Sequence, residues 1–398
     1  MASYNAGAYE AGHVLGSHRW AVLLTMASIL GWTLYRLGPR ALLGPRARPL
    51  ADRHFESTSA RVARGRYLVQ GVAHCLACHS PLEGSDPNTG APAVGKEGIG
   101  DSFHPDPDTL IVVPNLTPDP DTGIGRWTDD QLARAIREGI GHDGRALMPM
   151  MPYRHFRHMS DEDLASVIVY LRSLLPVRHV LPHGKLPLTR RWKYNRYPLP
   201  LTVEVPEPDL SEPIRRGAYY VELGKCADCH TPVDDDNQYL ANLDFTGGNF
   251  LDEAKKSAPN LTPDASGISF YDEATFIRVM RTGKVGARRL DPIMPWRNVG
   301  QMSVDDLKAI FAYLRSLKAV RQQVDNDEPP TFCKVVSAET WRRGSELSGL
   351  NQDADPTGSP PRVPVDGSPP IACAGRVARG GPGEDRRARP PQTSPAIA

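Results

Sequence analysis

The 398-residue chain has almost no net charge: 47 Lys and Arg stand against 46 Asp and Glu, a formal balance of +1. No nucleic-acid-binding motif accompanies that balance, so nothing points to a nucleic-acid partner. Signalling modules are lacking as well. Apolar stretches are few, and the one that stands out, Trp20 to Tyr35, carries no charge but is marginal in length for a membrane span. It lies between Arg19 and Arg36, with Arg40, Arg46, Arg48 and Arg53 beyond. The absence of a convincing small-x-small cleavage site favours a retained anchor over residues 20–37, behind an N-terminal segment of residues 1–19; a cleaved signal peptide is the alternative. Cysteine is sparse, six residues in all, and four of them fall in two short motifs.

Those motifs are Cys75-Leu-Ala-Cys78-His79 and Cys226-Ala-Asp-Cys229-His230. Cys-x-x-Cys-His is the attachment signature of c-type haem. Two thiols at that spacing bond covalently to one haem, and the adjacent imidazole becomes an axial ligand of its iron. A zinc half-site needs four ligands grouped together, and a thioredoxin-like pair does not require the trailing histidine. Recurrence of the motif at the same point of an internal repeat favours haem over both.

The repeat sets the organisation. Its first copy runs Arg64-Gly65-Arg66-Tyr67, haem motif, Pro114-Asn115-Leu116-Thr117-Pro118, then Tyr170-Leu171-Arg172-Ser173-Leu174. The second runs Arg216-Gly217-Ala218-Tyr219, haem motif, Pro259-Asn260-Leu261-Thr262-Pro263, then Tyr313-Leu314-Arg315-Ser316-Leu317. Ser160 and Ser303, each followed by acidic residues, cap the helices that close the two copies. Their apolar stripes are Leu164, Val167, Ile168, Leu171 and Leu174, and Leu307, Ile310, Phe311, Leu314 and Leu317. Middle helices start at a Thr128–Gln131 capping box and near Asp272, and stop at Gly139 and Gly283. Gly65 and Gly217 allow the helix before each haem motif to cross the closing helix closely. The chain therefore reads as all-α, with two tandem haem domains over residues 58–176 and 213–324. A proline-rich extended linker, residues 177–212, joins them, and its basic, aromatic stretch Arg190–Tyr197 reads as solvated or as a docking site. Residues 325–398, rich in Pro, Gly, Ser and Arg, are expected to be a disordered tail. Cys333 and Cys373 within it have no motif around them.

The sixth ligand of each iron separates carriers from catalysts. Met151-Pro152-Tyr153 and Met294-Pro295-Trp296 each lie nine positions before the capping serine, so Met151 and Met294 hold equivalent places. Met148 and Met150 are out of that register. The competing reading makes both methionines core filler. A thioether opposite an imidazole raises the potential and closes the iron to oxygen and peroxide. Pro114 and Pro259 are candidates to offer a carbonyl to the histidine Nδ1 proton; ordinary loop punctuation is the alternative. His74, His104, His142, His155 and His158 are read as exposed or structural.

These features resemble the class I cytochromes c, and more closely the cytochrome c subunits of membrane-bound alcohol and gluconate dehydrogenases. The resemblance spans Arg61 to Val324 and includes Thr122-Gly-Ile-Gly-Arg-Trp127. It implies the all-α cytochrome c fold in each copy, two covalent haems on Cys75, Cys78, Cys226 and Cys229, and the axial pairs His79 with Met151 and His230 with Met294. It also implies maturation on the outer face of a bacterial cytoplasmic membrane, in the periplasm. The arginines after residue 35 argue the other way by the positive-inside rule, but long domains translocate regardless of such charge. Those dehydrogenase subunits commonly carry three haem domains, and this chain has two. The expected function is non-enzymatic relay of single electrons from a dehydrogenase donor to a respiratory-chain acceptor. A dihaem peroxidase and a haem-based sensor are the rivals, and the paired methionines speak against the first.

Overall fold

The structure is a computed structural model that describes residues 20–32, 34–35, 38–82, 92–234, 238–251, 256–286 and 288–324. The segment before residue 20, the expected tail, and Cys333 and Cys373 lie outside the described residues. The chain divides into two compact units, one of residues 1–56, 100–157 and 171–204, the other of residues 57–99, 158–170 and 205–398.

The described residues are mostly helical. In the first repeat α1 (Ser59–Tyr67) runs into a wider helical turn over Leu68–Val72, followed by α2 (Cys75–Cys78), α3 (Asp129–Glu138), α4 (Tyr153–Phe156) and α5 (Asp161–Arg172). The second repeat follows α6 (Leu188–Tyr194) and contains α7 (Pro213–Leu223), α8 (Cys226–His230), α9 (Glu273–Thr282), α10 (Trp296–Val299) and α11 (Val304–Ser316). Sequence chemistry sets the ends. Thr128 and Gln131 form the reciprocal capping box of α3, Asp272 caps α9, and Gly139 and Gly283 close these helices at φ of 72° and 64°. Ser160 and Ser303 accept the backbone N–H of Asp163 and Asp306. The closing stripes are buried from Leu164 to Leu171 and from Leu307 to Leu314.

The crossing glycines are required by packing. A Cβ on Gly65 would fall on the backbone carbonyl of Ser166, and one on Gly217 on that of Ala309, the equivalent residue. Burial of Leu68, Val69, Leu164 and Ile168, and of Leu223, Leu307 and Leu314, builds a core on each crossing.

Two features depart from the sequence reading. The all-α expectation misses the antiparallel hairpin β1 (Asp101–Asp106) and β2 (Thr109–Val113), together with two ribbons of two-residue strands. The linker is not wholly extended: α6 lies within it and buries Tyr194, while Leu110 and Lys185 exchange backbone hydrogen bonds of 2.8 and 3.0 Å. At the N-terminus residues 20–32 and 34–35 are helical and Trp20, Leu24, Met26, Ile29 and Trp32 are exposed. No helix among the described residues is long and apolar enough to cross a membrane, and residues 33, 36 and 37 of the expected anchor over 20–37 lie outside the described residues. A span needs about 20 apolar residues, and charge limits this stretch at both ends.

Candidate haem sites

Each Cys-x-x-Cys-His forms a short helix entered through a residue in the left-handed region, His74 at φ 38° and Lys225 at φ 49°. A helical turn brings positions i and i+3 to one face, as Cys75 with Cys78 and Cys226 with Cys229 require to share one group. All four thiols are free of disulfides. Desolvation pushes Cys75 and Cys226 up to about 12, so neither is a reactive thiolate at neutral pH, against the redox-pair reading. Among the described residues no group of three or more His, Cys, Asp and Glu is placed to hold a metal ion.

The histidines of the two motifs are buried, His79 at 8% and His230 at 7% exposure. His230 Nδ1 lies 2.8 Å from the carbonyl oxygen of Pro259. That pairing makes Nδ1 the donor and leaves the Nε2 lone pair for a metal, while burial depresses the imidazole pKa and keeps the ring neutral. The carbonyl is itself fixed by local sequence. Asn260 Oδ1 accepts the N–H of Thr262 at 2.8 Å, and its Nδ2 donates to Val320 O at 2.9 Å. Asn115 does the same in the first repeat, with Thr117 at 2.8 Å and Val177 at 2.9 Å. The Pro-Asn-Leu-Thr-Pro segments are thus Asx turns tied to the irregular segment that follows each closing helix.

Met151 and Met294 share one backbone geometry. Met151 donates its N–H to Met148 O at 3.0 Å and accepts from Tyr153 N at 2.8 Å; Met294 donates to Asp291 O at 3.1 Å and accepts from Trp296 N at 2.7 Å. Both are half-buried. The aromatic residue of each turn seals the middle helix: Gly139 closes α3 against the Tyr153 ring, and Gly283 closes α9 against Trp296. Tyr153 Oη and Trp296 Nε1 are buried with no hydrogen-bond partner in the protein. A buried donor at the same repeat position in both copies suits a bound group that brings its own acceptor oxygens, such as haem carboxylates. Register within the repeat is the one sequence signal for this pair, since neither residue belongs to the Cys-x-x-Cys-His motif. With paired thiols, a neutral imidazole aimed by a carbonyl, and these donors, the residues fit covalent haem.

Comparison with known proteins agrees. A family model described as cytochrome c matches residues 62–175. The chain is 32% identical to a diheme cytochrome c-type protein of Cereibacter sphaeroides, over 67% of this chain and 89% of that one. It is 27% identical to the cytochrome c subunit of the quinone alcohol dehydrogenase of Gluconobacter oxydans, over 88% of this chain and 76% of that one. A component of the nicotinate dehydrogenase of Pseudomonas putida is 30% identical over 72% of this chain, which spans only 24% of that component's length.

Proposed function

Since the chain belongs to the cytochrome c family, we propose that it is a dihaem electron carrier that relays single electrons from a dehydrogenase to a respiratory acceptor. Each repeat, residues 58–176 and 213–324, forms one cytochrome c domain in this reading. The iron of haem c supplies a one-electron couple at each site.

The chain's own residues do the rest. Cys75 with Cys78, and Cys226 with Cys229, hold the two haems covalently, which prevents their loss outside the cell. His79 and His230 would each give an imidazole nitrogen to one iron, and Pro259 holds the His230 ring in one tautomer and orientation. Met151 and Met294 would each offer a thioether to one iron. Similar imidazole and thioether ligands at both irons would limit change between oxidation states and would leave no site for peroxide.

The observation that carries the proposal is the recurrence of one methionine turn, with the same hydrogen bonds, at the same place in both repeats. A catalytic dihaem protein needs at least one iron open, and the repeat offers no such asymmetry. The dehydrogenase partner is supported by relatives named as cytochrome subunits of alcohol, fructose and gluconate dehydrogenases. The exposed apolar residues between Trp20 and Tyr35 support association with the bacterial cytoplasmic membrane, the haem domains facing the periplasm.

The test is the absorption spectrum of the haem-matured protein with haem counted per chain. Two covalent haems with a methionine-to-iron charge-transfer band when oxidised, and no shift on adding carbon monoxide when reduced, are expected. Ready carbon monoxide binding at one haem would overturn the carrier reading.

A further inference from the structure

The unit that contains residues 57–99, 158–170 and 205–324 gathers helices of both repeats, and four equivalent pairs of side chains meet there. Within each repeat an arginine of the first helix binds the aspartate that opens the closing helix. Arg64 grips Asp163 through two bonds of 2.7 and 2.8 Å, and Arg216 binds Asp306. Between repeats the same aspartates take a phenol from the other copy. Tyr219 Oη donates to Asp163 at 2.8 Å and accepts the Ser160 N–H at 3.1 Å. Tyr67 Oη donates to Asp306 and accepts the Ser303 N–H at 3.1 Å.

Tyr67 is the repeat equivalent of Tyr219, and Asp163 of Asp306, so each copy offers the other what it receives. Such reciprocity is the mark of an isologous, two-fold interface, ordinarily found between separate subunits. The carboxylates are 6% and 3% exposed, so these hydrogen bonds are shielded from water. Around them Arg64 Nη1 donates to Tyr220 Oη at 3.2 Å and Asn298 Nδ2 to Gln70 O at 2.9 Å, while Met302 and Tyr220 are buried. The haem-attachment segments adjoin the same surface: a Cβ on Gly224 would lie 3.8 Å from Val72 O, and Lys225 is an electrostatic neighbour of His74 and Cys75.

We infer that the two repeats are joined as an intramolecular counterpart of an isologous dimer, and that Tyr67 and Tyr219 are its paired latches, positioning residues that hold the two haem-attachment segments together without help from the connector. An interface of this kind fits one partner, the other copy of the repeat. The connector then serves to keep the two copies at high effective concentration rather than to orient them. The inference stands on the latch geometry and does not need the electron-carrier reading to hold.

The experiment uses the haem-matured full chain with a protease site inserted between Val203 and Glu204, both exposed. After cleavage, size-exclusion chromatography and native mass spectrometry read whether the halves remain one particle. They are expected to stay together, and dilution of the cleaved Tyr67→Phe, Tyr219→Phe double variant is expected to separate them. Hydrogen bonds to buried charged groups give roughly tenfold to a hundredfold weaker association per phenol removed. Tyr239→Phe, whose phenol reaches Asp228 inside the second repeat, serves as the control and is expected to change nothing. Haem content and reduced spectra equal to the parent's establish that each half is folded, so loss of association is not loss of fold. Separation of the cleaved parent, or a double variant that associates as tightly as the parent, would overturn the inference. Neither readout involves electron transfer, so failure here and failure of the proposed function are distinct.

Discussion

At the scale of single residues, Met151 and Met294 carry the sharpest test. Replacement of either by alanine removes one thioether, and one haem per chain is expected to bind carbon monoxide in the reduced protein, with the charge-transfer band halved. An unchanged spectrum in Met294→Ala would remove that residue from the iron. A second test lies in unit one, where Arg48 reaches Asp130 through two bonds of 2.7 Å and Glu138 through one of 2.8 Å. Both carboxylates are buried but their balances differ. Burial raises Asp130, yet the Arg48 hydrogen bonds and the Ala51 N–H outweigh it and the net pKa is lowered. Glu138, with Oε2 unpartnered, is raised because burial outweighs Arg48. The lowered Asp130 contributes stability above its unfolded pKa of about 4, lost as pH falls through the folded value. Raised Glu138 works in the opposite sense, favouring the fold less as pH rises through the window above about 4. At pH 7, Asp130→Asn is therefore expected to cost about 3 kcal/mol in denaturant unfolding, while Glu138→Gln is neutral or stabilising. Equal losses in the two variants would contradict this. The candidate haem-attachment residues are legible because covalent attachment demands neighbours in sequence; Arg48 and Asp130, 82 residues apart, leave no such trace.

Helices and strands differ in how much of themselves they announce. Caps and stops act over three or four residues, so the bounds of α3, α9 and α11 follow from Thr128, Asp272, Ser303 and the closing glycines. The hairpin β1–β2 hides because Pro105 and Pro107 interrupt any alternation, and its partner Lys185 is distant in sequence. Helix α6 hides likewise: its one buried side chain, Tyr194, gives no apolar period. The crossing glycines were legible as a pair from the repeat, and they make the element-scale prediction. Gly65→Ala and Gly217→Ala each drive a Cβ into the backbone of the closing helix, which cannot yield as a side chain can. Each is expected to lose about 3 kcal/mol or fail to mature with haem, read by unfolding and haem yield. By contrast Gly95→Ala, where nothing lies within 4 Å, tests whether left-handed backbone alone matters, and about 1 kcal/mol is expected there. Similar losses at Gly65 and Gly95 would mean that the helix crossing is looser than the backbone implies.

For the molecule as a whole the open matter is what holds it where it works. The uncharged stretch between Trp20 and Tyr35 is helical over most of its length and presents Trp20, Leu23, Leu24, Met26, Ile29, Leu30 and Trp32 to solvent, an apolar exposure beyond what scattered surface residues explain. No described helix is long and apolar enough to span a bilayer, and these exposed apolar side chains are the surface the described residues offer to one. The segment after it is fixed within its own unit: Arg48 binds Asp130 and Glu138, and Phe55 N–H donates to Asp129 at 2.8 Å. Removal of residues 1–37 should therefore leave the Arg48 anchor points and both haem sites intact. A chain so truncated, exported behind a cleavable leader, is expected to fractionate as soluble protein with two haems and unchanged spectra, while the parent sediments with membranes. If the truncated chain still sediments, the attachment lies elsewhere, and the basic surface of Arg190, Arg191 and Lys193 on α6 becomes the face to neutralise next, since screening by salt would then release it where truncation did not.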